Sequence, residues 1–423
     1  MRIELIDMEG LRSPVRPDLR SVLDAYRSIL RSGTVEEPLI VHEGDMVLLG
    51  GFSTYEALDL LSARRAPALL LNDGEFQIAG DDPFGAVQDG RTLEEGAFSL
   101  SGVEVPRIRI RLPDLLEGRD GRGRRVYRST VELMVGDWPT PLVRLNFGSD
   151  EGREVWAKLE WYNPFSCSVK DRVAWAMIED AARRGCLGGA FYEATSTNTG
   201  IALAALARVL GRSCRIYLPK GTQAGVDAYF RALGANVVRG AEPITVQMLD
   251  RVLEDARRDG AAVLNQFEND ANFKVHLKHT AHELQEQLEA AGARPDYLVG
   301  ALGTSGHQSA ISFHLKSLYG DSIKVIGVQP TPGSRIPGIR RIETGMKWIE
   351  HAQLDDVVEV SAEEALEGIW AVARSDGIII GPSSGAIMAA VRRMDIRGTV
   401  AVVLPDNGLK YQEFLGSPGG GAP

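Results

Sequence analysis

The feature that most constrains the fold is a set of short apolar runs recurring along the last two-thirds of the chain. Val400-Ala401-Val402-Val403-Leu404 and Val325-Ile326-Gly327-Val328 carry no polar side chain. Phe191-Tyr192-Glu193-Ala194, Arg215-Ile216-Tyr217-Leu218, Ala262-Val263-Leu264 and Tyr297-Leu298-Val299 come close to that pattern. Such runs suit strands, and a strand buried on both faces shows no polar alternation, which is the habit of parallel sheets. Strands are also expected at 154–159 and 236–238, with helices at 202–210, 246–257 and 275–290 between them. Strand and helix thus alternate from about Tyr127 almost to the end. The expectation is a large α/β region with parallel sheets, whose ligand site gathers at the strand ends.

The first 125 residues follow another pattern, that of a small α+β domain. Leu19, Val22, Leu23, Tyr26, Ile29 and Leu30 share one helical face, and Gly33 stands where that helix would stop. Strands are expected at 38–42, 46–49 and 66–71, with a helix from about Ser53 to Arg64 whose Ser53-Thr54-Tyr55-Glu56 reads as a capping box. A further β-rich stretch runs to Pro113. The Gly- and Arg-rich stretch 117–125 reads as a linker or exposed hairpin. The domains expected are therefore 1–125 and 126–415, and 416–423 is expected to be a disordered tail.

Composition narrows the function classes. Of 423 residues, 44% are hydrophobic and 25% charged, as in ordinary globular proteins. A net charge of −10 argues against coating nucleic acid or a membrane surface. No apolar run is long enough to span a bilayer, and Met1-Arg2-Ile3-Glu4 lacks a signal-peptide profile. Cys167, Cys186 and Cys214 form neither a metal-ligand spacing nor a disulfide framework. A reduced, cytoplasmic protein is expected.

Four loops carry chemistry. In the first, Asn163-Pro164-Phe165-Ser166-Cys167-Ser168-Val169-Lys170 leads into an apolar helix. Desolvation and the positive helix end would both disfavour the ammonium form of Lys170 and make its amine nucleophilic. The second, Thr195-Ser196-Thr197-Asn198-Thr199-Gly200, follows a strand and offers hydroxyls and N–H groups to a carboxylate. The third, Gly303-Thr304-Ser305-Gly306-His307, lies between a strand and a helix expected near Ser309, and its small residues suit a phosphate. The fourth is Gly381-Pro382-Ser383-Ser384-Gly385. Read singly, Lys170 is also a surface lysine and each of the others also a helix-opening turn. His276, His279 and His282 have a spacing that raises a metal site, but without a partner ligand they are expected to face solvent.

Taken together and in order, these loops resemble the fold-type II pyridoxal-phosphate enzymes of the cysteine synthase family, which implies two parallel-sheet subdomains. The resemblance covers about 128–415 and extends through Asn265-Gln266-Phe267-Glu268-Asn269, 373–377 and Leu404-Pro405-Asp406-Asn407-Gly408. The run Ile336-Pro337-Gly338-Ile339-Arg340-Arg341-Ile342-Glu343-Thr344-Gly345-Met346 is similar to that of the O-phosphoserine sulfhydrylase branch. The 1–125 stretch loosely resembles the ParB/sulfiredoxin-like fold, through the 38–41 strand and the Gly51 turn. Phe52 and Ser53 stand where active members place a basic residue, so this domain is expected to be non-catalytic.

The resemblance implies pyridoxal 5'-phosphate as cofactor, held by Lys170, which also removes the substrate α-proton. It implies that Gly303, Thr304, Ser305, Gly306 and His307 cradle the cofactor phosphate, that Asn198 bonds its ring hydroxyl, and that Ser383 faces its ring nitrogen. Thr195, Ser196, Thr199 and Gln266 would hold the substrate carboxylate, and Arg340 the phosphate of O-phosphoserine, while Arg341 would make a structural pair. The reaction implied is β-replacement, O-phospho-L-serine and sulfide giving L-cysteine and phosphate through an α-aminoacrylate, by a homodimer. O-acetylserine as substrate, or an amine, sulfite or carrier-protein thiocarboxylate as nucleophile, would use the same half-reaction. The lysine loop is one residue longer than the commonest family form, with Cys167 inside it.

Overall fold

The computed structural model describes residues 2–116 and 125–416, in two compact units divided between residues 124 and 125, with the short stretch Ala182–Gly185 grouped with the first. The expected linker at 117–125 falls, except for its last residue, outside the described residues, as does the expected tail after Gly416.

The first unit holds β1 (Arg2–Asp7), α1 (Leu19–Ser32), β2 (Leu39–His42), β3 (Val47–Gly50), α2 (Phe52–Leu60) and β4 (Arg65–Leu71). Its four-stranded sheet has the order β1-β4-β2-β3, with β2 and β4 parallel and the other pairs antiparallel. Asp18 caps α1 by accepting from Ser21 N, and Gly33 ends it at φ 67, where glycine meets no Cβ penalty. The expected capping box at Ser53 is not formed. The left-handed Gly51 (φ 78) turns the chain straight into α2 one residue earlier, so Ser53 lies inside the helix. The helix also stops at Leu60 rather than Arg64, because Ser62 adopts φ 60.

The second unit begins its sheets with β5 (Leu142–Asp150) and β6 (Arg153–Leu159), followed by α3 (Lys170–Arg183), β7 (Ala190–Ala194) and α4 (Asn198–Val209). Next come β8 (Ser213–Leu218), β9 (Asn236–Arg239), β10 (Ala262–Val263), β11 (Tyr297–Ala301), α5 (Gly306–Tyr319) and β12 (Lys324–Pro330). The unit closes with β13 (Asp356–Val360), α6 (Ala362–Asp376), α7 (Pro382–Arg393) and β14 (Gly398–Leu404). One sheet has the order β13-β12-β11-β14-β6-β5, parallel except for β5, and the other the all-parallel order β9-β8-β7-β10. The parallel strands are those expected from the apolar runs, and their division into two sheets is what the family resemblance implies. Within these two sheets, β5 and β13 were not expected from the sequence, and they are the edges of the larger one; β1 of the first unit, also unexpected, is likewise an edge. Their side chains are mostly half-buried or exposed, so they carry polar residues and lack the apolar signature.

Each sheet has its own core. Val173, Met177, Phe191, Leu203, Leu206, Ile216 and Phe230 pack around the smaller sheet. Val155, Val299, Val328, Ile369, Ile387 and Val402 pack around the larger one. Each such side chain contributes about 1.5–3 kcal/mol relative to exposure.

A buried ionic cluster fixes the start of α3. Arg172 donates to Glu160 (2.8 Å) and to both oxygens of Glu283 (2.7 Å each), with its guanidinium stacked 4.4 Å from the Trp138 ring. Lys158 Nζ lies 2.8 Å from Glu283 and donates to Thr140 O at 3.1 Å. Burial by itself would raise the Glu283 carboxyl, but Arg172 and Lys158 hold it down at about 2. Removing one partner of such a cluster leaves an uncompensated buried charge. Glu283→Gln is therefore expected to destabilise the protein by about 3 kcal/mol at neutral pH, read as a lowered urea midpoint. Because the folded-state value is depressed, the wild-type advantage holds above the ordinary glutamate range and fades as pH falls toward about 2.

Candidate active site

The loops singled out in the sequence all follow the carboxyl ends of strands in the two sheets, or open helices packed on them. The lysine loop is the most heavily cross-braced. Asp171 accepts from the backbone N–H groups of Phe165 (2.7 Å) and Ser166 (2.8 Å), and Ser168 Oγ accepts from Lys170 N (3.1 Å). Val169 N donates to Pro405 O (2.9 Å), and Lys410 Nζ donates to Ser166 O (2.6 Å) and Cys167 O (3.4 Å). Cys167, inside the lengthened loop, is half-buried at φ 47, so the inserted residue is absorbed in a left-handed turn. Lys170 opens α3, as expected. Burial lowers its amine to about 8, against the opposing pull of Asp406 and Glu160. The lysine is therefore partly neutral near pH 8, the state in which an amine is a nucleophile or base.

The second loop leaves β7 and opens α4. Thr195 and Thr199 are buried, Asn198 half-buried and Ser196 exposed. Thr199 Oγ1 donates to Gln266 Oε1 (2.7 Å), and Gln266 Nε2 donates to Ala194 O (3.1 Å), so Gln266 and this loop form one wall. Asn198 Oδ1 accepts from Lys410 Nζ (2.5 Å), while its Nδ2 donates to Asp406 (2.7 Å) and approaches the Tyr411 hydroxyl (3.3 Å). The amide of Asn198 is thus oriented by side chains to which sequence reading gave no role. Asp406 was visible only as part of a resemblance motif, and its signal is a carboxylate in the turn directly after an apolar strand.

The third loop leaves β11. Helix α5 starts at Gly306, three residues before the expected Ser309, so Gly306 and His307 form its first turn. Ser305 sits at φ 71 as the residue before the helix. A Cβ at Gly303 would stand 2.6 Å from Gly338 O, and one at Gly306 2.4 Å from Asn272 Oδ1. The backbone at this helix end is therefore open only to glycine. Ser305 Oγ, Ser309 Oγ and both ring nitrogens of His307 are buried without a hydrogen-bond partner. Burial, with Lys170 nearby, lowers the His307 imidazole to about 3, so it is neutral. Native interiors seldom leave so many polar atoms unsatisfied in one place. A helix N-terminus lined with them suits a phosphate.

Arg340 closes this corner. Its backbone N donates to Leu302 O (2.9 Å), its Nε donates to Gly303 O (2.8 Å), and its guanidinium lies 5.2 Å from the Phe267 ring. Its Nη1 is buried without a partner. Arg341 instead pairs with Glu359 (2.7 Å) and Glu343 (2.9 Å), the structural role expected of it. Ser383 lies in the first turn of α7, its Oγ 3.7 Å from where a Cβ on Gly338 would be, and the neighbouring Ser384 Oγ is buried without a partner.

One expectation about the histidines is overturned. His276 is fully buried, its ring 5.9 Å from that of His307, and His279 and His282 are half-buried. The cause is a π-helical turn at His276–Ala281, which rotates this face inward. The described residues hold no cluster of three side chains suited to a metal ion. None of their helices is long and apolar enough to cross a membrane.

The chain matches the model of the family described as pyridoxal-phosphate dependent enzyme over residues 133–406. It belongs to that family, with the fold-type II architecture of two parallel-sheet subdomains and with pyridoxal phosphate as cofactor. It is 36% identical over 292 residues to cysteine synthase B of Escherichia coli, an alignment spanning 67% of this chain and 94% of that one. Among solved structures it is similar to O-acetyl serine sulfhydrylase isoform 3 from Entamoeba histolytica (26% identity, TM-score 0.60, 72% of this chain and 96% of that one). It is also similar to an O-ureido-L-serine synthase (26% identity, TM-score 0.60, 70% and 98%). The residues present fit the cofactor. The unsatisfied groups at 303–309 and the close backbone approaches at Gly303 and Gly306 suit a phosphate, and Lys170 supplies a buried amine of lowered pKa.

Proposed function

We propose that the chain catalyses β-replacement of the cysteine synthase type, converting O-phospho-L-serine and sulfide to L-cysteine and phosphate. Bound pyridoxal phosphate would supply an electron sink for the substrate α-carbon. Around it, Gly303, Thr304, Ser305, Gly306 and His307 hold the cofactor phosphate, Asn198 faces the ring hydroxyl and Ser383 the ring nitrogen. Thr195, Ser196, Thr199 and Gln266 bind the substrate carboxylate, and Lys170 takes and returns the α-proton through its neutral amine.

The observation that carries the phosphoserine half is the Nη1 of Arg340, a buried guanidinium nitrogen without a partner beside the cofactor-phosphate loop. Leaving such a donor unpaired is costly, and a doubly charged leaving group is what would satisfy it. The test is turnover with sulfide of O-phosphoserine and O-acetylserine under matched conditions. A clear preference for O-phosphoserine is expected, and a preference for O-acetylserine would remove the phosphoserine assignment while leaving the family intact.

A second nucleophile is a distinct reading, favoured by the similarity to an O-ureido-L-serine synthase. Sulfide, an amine, sulfite and a thiocarboxylate compared at equal concentration would separate the readings, with sulfide expected to be fastest. The unit before residue 125 is proposed to be non-catalytic, since Phe52 and Ser53 offer no charge at the Gly51 turn. A chain starting near residue 125 is expected to keep its turnover number, and loss of turnover in a folded truncation would contradict this.

A further inference from the structure

Behind the carboxylate wall lies a side chain with no assigned role. Glu193, next to last in β7, is fully buried. Its Oε2 accepts from Asn265 N (2.8 Å) and its Oε1 from Gln266 N (3.0 Å). Asn265 sits at φ 53, in the left-handed region that asparagine tolerates better than most side chains, and so forms a tight turn after β10. From that turn Gln266 reaches Thr199 and Ala194. Its carbonyl accepts from Asn272 Nδ2 (2.7 Å), which also donates to Thr304 Oγ1 (3.1 Å) in the phosphate loop. One carboxylate therefore anchors a turn on which both anion-binding loops lean.

We propose that Glu193 is the positioning residue of the substrate-carboxylate subsite, and that its ionised form holds Gln266 and Thr199 in the binding geometry. This rests on the assignment of Thr195, Ser196, Thr199 and Gln266 to the substrate carboxylate.

The two donors are backbone N–H groups, and the titratable side chain facing Glu193 is the thiol of Cys214 on β8, itself pushed up to about 12 by burial and by Glu193. Among the described residues no cation lies against it, and burial pushes the Glu193 carboxyl up to about 7, opposed by the N–H groups of Gln266 and Asn265. The charged form accepts both bonds strongly. A protonated carboxyl turns one oxygen into a donor facing a donor, and the turn loosens. Because the folded-state value is raised, the ionised clamp is present above about pH 7 and is lost as pH falls below it.

Glu193→Gln mimics the protonated form. At about pH 8 it is expected to raise the KM for O-phosphoserine about tenfold, with kcat and the KM for sulfide changed less than about twofold, and Glu193→Asp should recover part of the loss. The ratio of variant to wild-type KM cancels titration of the substrate itself. It should fall toward unity near pH 6, because the wild type then loses its own clamp. A ratio near unity at both pH values, or an equal ratio at both, would overturn the proposal. If Glu193→Gln does not fold, amide exchange at Asn265 and Gln266 in the wild-type holoenzyme decides the matter. Protection corrected for intrinsic exchange should drop about fivefold from pH 8 to pH 6, and constant protection would overturn the proposal. Thr199→Ala and Gln266→Ala separate the two levels. If they leave the KM unchanged, the carboxylate assignment itself fails. If they raise it while Glu193→Gln does not, only the role of Glu193 fails.

Discussion

Replacing Lys170 with alanine is expected to lower turnover about ten-thousand-fold, the upper range for loss of a positioned acid–base group. The expectation rests on three features of one side chain. Lys170 opens α3, where Ser168 and Asp171 fix the backbone before it. Burial lowers its amine to about 8, so a useful fraction is neutral at physiological pH. The Arg172 cluster two residues on prevents the helix start from shifting. A readout independent of turnover is borohydride reduction of the cofactor-loaded protein. It should leave the cofactor covalently attached to wild-type Lys170 and nothing attached to Lys170→Ala. Cofactor capture by the cofactor-free wild type should also accelerate about tenfold per pH unit up to about 8 and then level off, as the ammonium form is depleted. Attachment at another lysine would overturn the assignment.

Arg340→Ala is expected to cost about a thousandfold in kcat/KM with O-phosphoserine and little with O-acetylserine. Truncating one partner of a buried, hydrogen-bonded charge pair costs about 2–5 kcal/mol, and one decade is about 1.4 kcal/mol. Burial lowers the Arg340 guanidinium, with Glu268 opposing, yet an arginine remains charged at any working pH. Its Nε is committed to Gly303 O and its face to Phe267, while Nη1 is buried without a partner, so the guanidinium keeps donors for an incoming anion. Arg340→Lys keeps the charge but loses the fork that aims it, and should fall between the two. Arg341→Ala should leave the preference unchanged, because that side chain is spent on Glu343 and Glu359. Equal losses with both esters in Arg340→Ala would reduce Arg340 to a structural brace for the Gly303 loop.

The parallel strands were legible because the central ones are apolar on both faces, and the site was legible because its loops are short, polar and placed directly after those strands. What escaped the sequence was decided by tertiary contact. The edge strands β5 and β13 carry mixed residues because half of each faces outward. The burial of His276 depends on a π-turn whose extra residue leaves no compositional mark. The orientation of Asn198 comes from Lys410, Asp406 and Tyr411, more than two hundred positions away along the chain. Glu193 read as the polar interruption in an apolar strand, and only the pairing of its oxygens with the turn at 265 and 266 gives it a task. The absent capping box at Ser53 is a reminder that a left-handed glycine can start a helix where a side-chain cap was expected.

The most direct test of the central claim is a single-turnover measurement with cofactor-loaded protein and O-phosphoserine in the absence of sulfide. A rapid release of phosphate stoichiometric with active sites is predicted, followed by an equal amount of L-cysteine when sulfide is added. Absence of a phosphate burst, with acetate released rapidly from O-acetylserine instead, would contradict the assignment of Arg340 and of the substrate. Absence of a burst from either ester would contradict β-replacement altogether.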